Sequence, residues 1–299
     1  MTTVRMAVPR KGRPLEAVLE RIASRTGRTG LADGIISTLR YEKALAKGDQ
    51  QPDAPVYDRL ASYSDAADPT APEYTLVRDD REGMPRRIVF DSVTIPTESV
   101  DLELVGREEP FRALRKHEFA LGFDSADLVS EEVVGLEPEP LTDLAALNDR
   151  IDPRDTDVRV HTGLGDTVYH TLLATPDVAD ELDADLTREF VADYAGELAI
   201  SPRYERLVTA VLGTDAVEEI DFRYPGRDRT EEDLVAEVGL GVYITVSGST
   251  AREHGLLVGE RLFPSETVLL ENGAEMTDRA TRAVDLVDGA DIDTAISLR

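Results

Sequence analysis

The sequence predicts an α/β protein with two units built on mixed, mainly parallel sheets. Short apolar runs of strand type alternate with segments of helical apolar spacing, joined by short loops. A length of 299 residues suits one large or two medium domains. Hydrophobic residues make up 41% of the chain with only 5% aromatic and no Trp, so the cores are expected from Leu, Val, Ile and Ala.

"VRMAVP" (4–9) reads as a buried opening strand, "RKGRP" as a basic turn, and "LEAVLERIASRTG" (15–27) as a helix with a glycine stop. Residues 45–75 are rich in Pro, Asp and Ala without periodicity and read as an irregular insertion. Two or three strands are expected in 86–106, a helix at 107–117 opened by Pro110, and a strand at 119–123 ending in a carboxylate-bearing corner. After a polar span near 137–157, the runs "TVYHTLLATP", "ELAISP", "AVEEIDFRY" and "VYITVSG" read as strands. "LTREFVADYAG", "RYERLVTAVLGT", "TEEDLVAEVGLG" and "STAREHGLL" read as the helices between and after them. "RLFPSETVLLENG" reads as a strand pair and "MTDRATRAVDLVDGADI" as a last helix. The expected organisation is a first lobe at 1–160, a second at 161–258, and a return to the first at 259–299. Two α/β units joined mid-chain bind ligands at the carboxyl ends of their strands.

The formal charge of −27 arises from 60 acidic against 33 basic residues, with Lys scarce and Arg dominant. With apolar periodicity intact, this composition indicates adaptation to high salt, where repulsion is screened within a few ångströms. It argues against nucleic-acid binding through a broad basic surface. The absence of Cys excludes disulfides, thiolate catalysis and Cys-ligated metals. The opening residues lack the apolar stretch of a secretory leader, and no run approaches membrane-spanning length, so a cytoplasmic protein without a membrane partner is expected.

Three stretches carry chemistry. In "VSGSTAREHGLL" (246–257), Gly248 permits a tight turn, while Ser247, Ser249 and Thr250 add hydroxyls before a helix start that favours anions. The same residues also suit an ordinary helix cap. In "VPRKGRP" (8–14), Arg10, Lys11 and Arg13 follow the first strand, either as phosphate ligands or as a solvated basic turn. In "ALGFDSADLVSEE" (120–132), Asp124 and Asp127 sit at a strand end, where they suit a ribose hydroxyl or a magnesium-bound pyrophosphate. His161, His170 and His254 have no metal-ligand spacing; only His254 has a site argument, through its place after the glycine loop.

In order along the chain, these blocks resemble the ATP phosphoribosyltransferases that open histidine biosynthesis. "VRMAVPRKGRPLEAVLERIA" looks like their strand, K-G-R turn and helix, and "VYITVSGSTAREHGL" like their phosphoribosyl-diphosphate loop. "REEPFRALRKHEFALGFDSADLVSEE", "YHTLLATPD" with "ELAISPRYERLV", and "ERLFPSETVLLEN" resemble the intervening and following blocks; together they cover about two-thirds of the chain. The resemblance implies a two-lobed, periplasmic-binding-protein-like (type II) fold, Mg2+ as cofactor, and a homodimer. It implies a glycosyltransferase in which ATP attacks the anomeric carbon of phosphoribosyl diphosphate and releases pyrophosphate. The expected ligand is phosphoribosyl diphosphate or a nucleotide, with ATP or another base as acceptor; the alternative is a non-catalytic small-anion-binding or regulatory subunit on the same fold.

Several positions depart from the family pattern. Acidic positions before the phosphate loop fall on Gly239 and Tyr243, a glutamate position falls on Arg229, and an asparagine position falls on His254. Glu237 is a candidate replacement for a lost carboxylate.

Overall fold

A computed structural model describes residues 3–65, 67–78, 86–182, 185–226 and 230–288. The chain opens with β1 (Thr3–Pro9), α1 (Arg13–Thr26), α2 (Thr29–Lys47) and α3 (Val56–Tyr63). Next come β2 (Glu73–Arg78), β3 (Arg86–Ile95), β4 (Asp101–Arg107), α4 (Pro110–Arg115) and β5 (Leu121–Ser125). The middle holds α5 (Ala126–Val133), α6 (Leu144–Leu147), β6 (Val158–Gly163), β7 (Val168–Ala174), α7 (Pro176–Leu182) and α8 (Arg188–Ala192). After these run β8 (Gly196–Ile200), α9 (Glu205–Leu212), β9 (Ile220–Arg223), α10 (Glu231–Val238) and β10 (Leu240–Thr245). The last elements are α11 (Ser249–Glu253), β11 (Leu257–Ser265), β12 (Thr267–Asn272) and α12 (Asp278–Asp288).

The chain forms two compact units. The first takes the residues up to Asp124, Asp157–Leu164, and those from Thr267 onward; the second takes Ser125–Thr156 and Gly165–Glu266. This division differs from the expected one at 160 and 258. The chain leaves the first unit at the end of β5 and returns for β6 before entering the second unit again.

Among the described residues the first unit carries a seven-stranded sheet in the order β2-β3-β4-β1-β5-β12-β6. Its core gathers Met6 and Val8 from β1, Leu15, Leu19 and Ile22 from α1, and Ile35 from α2 with Phe90, Leu104 and Phe123. The helix α1 forms because Pro14 occupies its first turn and its buried face is Leu15, Val18, Leu19, Ile22 and Ala23. It stops at Gly27, which is left-handed at φ 69.

Among the described residues the second unit carries a five-stranded sheet in the order β11-β7-β10-β8-β9. Leu173, Ala199, Leu234, Val235, Tyr243, Ala251 and Leu256 pack together where α10 and α11 meet it. A Cβ on Gly241 would stand 2.4 Å from Cγ2 of Val235, so the glycine lets α10 lie close on β10.

In each sheet a second, first, third, returning and fourth strand follow one another. In the first unit these are β4-β1-β5-β12-β6; in the second, β9-β8-β10-β7-β11. This is the type II periplasmic-binding-protein-like fold. Parallel pairing does not predominate as expected. It joins β1 to β4 and β5, and β8 to β9 and β10, whereas β2, β3, β7, β11 and the β12–β6 pair are antiparallel.

Two further expectations are corrected. The 45–75 segment is not irregular throughout: α2 runs into it, α3 lies within it and β2 begins before its end. It is tied down by Arg59, which donates from Nε and Nη2 to the two carboxylate oxygens of Glu42 at 2.8 and 3.0 Å. β11 and β12 do not pair with each other; β11 lies beside β7, and β12 beside β6. Among the described residues no helix is long and apolar enough to cross a membrane.

Candidate functional site

In the second unit, β10 ends at Thr245 and the chain turns through Val246–Gly248 into α11. Gly248 makes the turn by adopting φ 68 and ψ 14. A Cβ there would stand 3.0 Å from Cγ2 of Val258 and 3.2 Å from Nη1 of Arg252, so both conformation and space favour glycine. Arg252 braces the turn by donating to the carbonyl of Ser247 at 2.6 Å.

Gly248 occupies the cap position, and the Ser249 amide that opens α11 donates to the Ser247 hydroxyl at 3.4 Å. Ser247 and Ser249 share a hydroxyl contact of 3.0 Å. The first backbone bond of the turn runs from Arg252 N–H to the Gly248 carbonyl at 3.1 Å, so the amides preceding it have no acceptor within the helix. Ser247, Ser249 and Thr250 are exposed.

This turn forms one wall of a cavity of about 200 Å³, also lined by Leu173, Tyr243, Thr245, Glu231 and Glu232. The two glutamates stand in the first turn of α10, which starts there because Thr230 accepts a hydrogen bond from the Asp233 amide at 3.1 Å. Acidic residues in that turn also complement the helix dipole. Desolvation first, and then the charge of Glu232, raise the pKa of Glu231. Tyr243 is 4% exposed, and its phenolic oxygen is buried with no hydrogen-bond partner among the described residues. Burial first, then Glu231 and Glu232, push this phenol above its ordinary range.

His254 follows α11 and does not line the cavity. Its Nδ1 lies 2.9 Å from the Thr250 carbonyl and its Nε2 3.7 Å from Asp233, so it links the start of α11 to α10. The Thr250 carbonyl, against a smaller opposing effect of desolvation, raises its pKa.

The departures from the family pattern have physical reasons. Gly239 ends α10 at φ 101, where a Cβ would meet Cγ2 of Val178 at 2.6 Å, so no carboxylate side chain fits there. Tyr243 is a buried phenol, and Glu237 is exposed on α10 outside the cavity lining. Arg229 lies outside the described residues. The carboxylates beside the loop come instead from the start of α10. The Thr-Glu-Glu-Asp sequence marks a helix start, but only the fold shows that this start lies beside the loop.

The two expected aspartates do not suit a ligand. Asp124, 5% exposed, accepts the Phe111 amide at 3.0 Å and so holds the first turn of α4. Asp127, 1% exposed, meets Nε2 of His170 at 3.3 Å. Burial alone would raise its pKa, but the His170 hydrogen bond and charge, with Ser125 and Tyr204, bring it down to about 2. Both carboxylates are internal ties rather than open ligands for ribose or magnesium.

In the first unit, Arg10, Lys11 and Arg13 share the bend between β1 and α1. Arg10 donates from Nε to the Gly106 carbonyl at 3.1 Å and lies 3.6 Å from Asp91. Lys11 pairs with Glu108 at 3.6 Å with both side chains well exposed, an arrangement that exchanges readily. Arg13 is the first residue of α1. Among the described residues no cluster of three or more His, Asp or Glu could hold a metal ion.

No curated protein matches this sequence. An ATP phosphoribosyl transferase (HisG:HisZ) complex from Thermotoga maritima is 13% identical over 95% of each chain, with a TM-score of 0.43. The regulatory domain of MetR, a LysR family regulator from N. meningitidis, is 14% identical over 62% of this chain and 79% of that one, with a TM-score of 0.33. An ancestral amino acid-binding protein, a precursor of cyclohexadienyl dehydratase, is 11% identical over 63% and 70%, with a TM-score of 0.35. The profile described as halobacterial ATP phosphoribosyltransferase matches residues 1–298, and the chain belongs to that family.

Proposed function

We propose that this protein is a phosphoribosyltransferase that holds the 5′-phosphate of phosphoribosyl diphosphate at Ser247, Gly248, Ser249 and Thr250 and transfers the sugar to ATP. The observation that carries this reading is the glycine turn itself. Its serines and threonine are exposed, and the Ser249 amide that opens the helix is held by one long bond of 3.4 Å to the Ser247 hydroxyl. Such a turn offers hydroxyl and amide donors to a phosphate in exchange for the local bonds between Ser247 and Ser249.

In the reaction, a ring nitrogen of ATP forms a bond to the anomeric carbon as the carbon–oxygen bond to pyrophosphate breaks. Positive charge develops on the sugar while negative charge leaves with pyrophosphate. Donors fixed before the reaction stabilise such separation without reorganising. The loop's part is to anchor the sugar phosphate so that the anomeric carbon is presented in one orientation. Glu231 and Glu232 fit the way magnesium binds through one or two carboxylates together with substrate phosphates; Asp124 and Asp127 do not. When bound, magnesium would neutralise charge on the departing pyrophosphate.

The test is release of pyrophosphate from phosphoribosyl diphosphate in molar KCl with magnesium. Release that requires ATP supports the transferase. Binding without release makes the protein an anion-binding subunit, and the absence of both refutes the proposal.

A further inference from the structure

The bend between β1 and α1 is tied to two other strands through one residue. Arg10 donates from Nε to the Gly106 carbonyl near the end of β4 at 3.1 Å, and its Nη2 lies 3.6 Å from Asp91 on β3. Its own carbonyl accepts the Phe90 amide of β3 at 3.1 Å. In the sheet β4 lies between β1 and β3, so the chain leaving β1 crosses β4 to reach β3. A Cβ on Gly106 would stand 2.6 Å from the Phe90 carbonyl and 3.0 Å from Cγ of Arg10, so the crossing needs glycine at 106.

These ties fix the residue that follows. Lys11 stands between the anchored Arg10 and Gly12, whose φ of 83 and ψ of −176 belong to a region open essentially to glycine. The Lys11 ammonium pairs with Glu108, two residues beyond Gly106, so both partners are held in the frame that Arg10 closes. An exposed pair of this kind exchanges readily for a more highly charged anion. Arg10 itself is ill placed for that part: its side chain is 20% exposed, and Nε and Nη2 are already engaged.

We propose that Arg10 is a positioning residue: it touches no ligand, and it fixes the bend so that Lys11 meets the diphosphate of phosphoribosyl diphosphate. This rests on the reading of the protein as a phosphoribosyltransferase. A cation held in one place before binding gives up less freedom when the ligand arrives, so loss of the Arg10 ties appears as weaker binding through Lys11.

The experiment measures binding of phosphoribosyl diphosphate and of ribose 5-phosphate, which lacks the diphosphate, in molar KCl with magnesium. It compares the wild-type chain, Lys11→Ala, Arg10→Met and the double variant by the ratio of the two affinities. Methionine keeps a stem beside Gly106 but has no donors. The ratio should fall about tenfold in Lys11→Ala and about fivefold in Arg10→Met, with ribose 5-phosphate affinity within about twofold of wild type in each. The double variant should lose no more than Lys11→Ala, because both changes act at one contact.

Losses that add in the double variant would make Arg10 a ligand contact and overturn the inference. A ratio lowered in Lys11→Ala but not in Arg10→Met also overturns it, as does an equal loss for both ligands in Arg10→Met, the mark of a merely structural role. An unchanged ratio in Lys11→Ala removes the diphosphate from the bend and the inference with it. Wild type that binds neither compound overturns the transferase reading itself. Should Arg10→Met fail to fold, Arg10→Lys, which keeps the charge but not the planar fork, must show the same selective loss; a wild-type ratio there overturns the inference.

Discussion

Asp127 and His170 meet 3.3 Å apart, carboxylate to imidazole Nε2, with both side chains about 2% exposed. The ring of His170 also lies edge-on to Tyr204 at 4.9 Å between centroids. Two polar groups placed at a strand and a helix start, of the kind that often meet ligands, are here bound to each other inside the second unit. Asp127→Ala leaves His170 buried without its partner, so ligand-free stability should fall by about 3–5 kcal/mol. Thermal unfolding in molar KCl measures this. Wild-type stability with lost sugar-phosphate binding would instead make Asp127 a ligand contact.

The same carboxylate gives a pH signature. Its pKa in the folded chain lies below its ordinary value, at about 2, despite the opposing effect of burial. A depressed carboxylate contributes stability that is complete above the unfolded-state pKa and disappears as pH falls through the folded value. Asp127 should therefore add on the order of 2 kcal/mol at neutral pH, lost between about pH 5 and pH 2. In a comparison of wild type with Asp127→Asn, the gap in unfolding free energy should close across that window.

Glu42 and Arg59 form the corresponding tie in the first unit, with exposures of 4% and 9%. Arg59 also donates to the Ala54 carbonyl at 2.7 Å, and the Tyr63 hydroxyl donates to Glu42 at 2.8 Å. Glu42→Ala strands a buried guanidinium and should cost about 3–5 kcal/mol. Hydrogen exchange should accelerate first in α3, because its main anchor is removed. Uniform loss of protection across the unit would show that α3 does not depend on this pair.

How far the fold can be read from the sequence follows from these contacts. Apart from α7, the strand and helix alternation from β7 to α11 is visible because each element carries its own apolar period. α2 goes unread because Gly30 and Gly34 interrupt its pattern, although Ile35, Ile36 and Leu39 bury its inner face. β6 is masked by the polar residues preceding it. β11 and β12 are contiguous and both apolar, so they read as a pair; only sheet membership separates them. Asp124 and Asp127 read as open because their partners, Phe111 and His170, are 13 and 43 residues away. The glycine turn is legible from composition, but the glutamates and phenol beside it are brought there by α10 folding back onto β10.

Arg252 braces the turn through the Ser247 carbonyl from an exposed position. Arg252→Ala should leave global stability within about 0.5 kcal/mol of wild type, as for most surface changes. It should nevertheless weaken binding of ribose 5-phosphate several-fold, because the donors of the turn are no longer held in one geometry. Titration calorimetry beside a melting curve separates the two effects; unchanged affinity would show that the brace is dispensable.

The most direct test is the stabilisation of the chain by phosphoribosyl diphosphate, measured by melting in molar KCl for wild type and Gly248→Asp. A ligand at a hundredfold excess over its Kd stabilises the folded state by about 2.7 kcal/mol. Gly248→Asp places a strained residue and a negative charge in the turn. Wild type should melt several degrees higher with ligand, while Gly248→Asp, folded by circular dichroism, should show no shift. An equal shift in both proteins, or none in wild type, would contradict the assignment of the turn as the phosphate site.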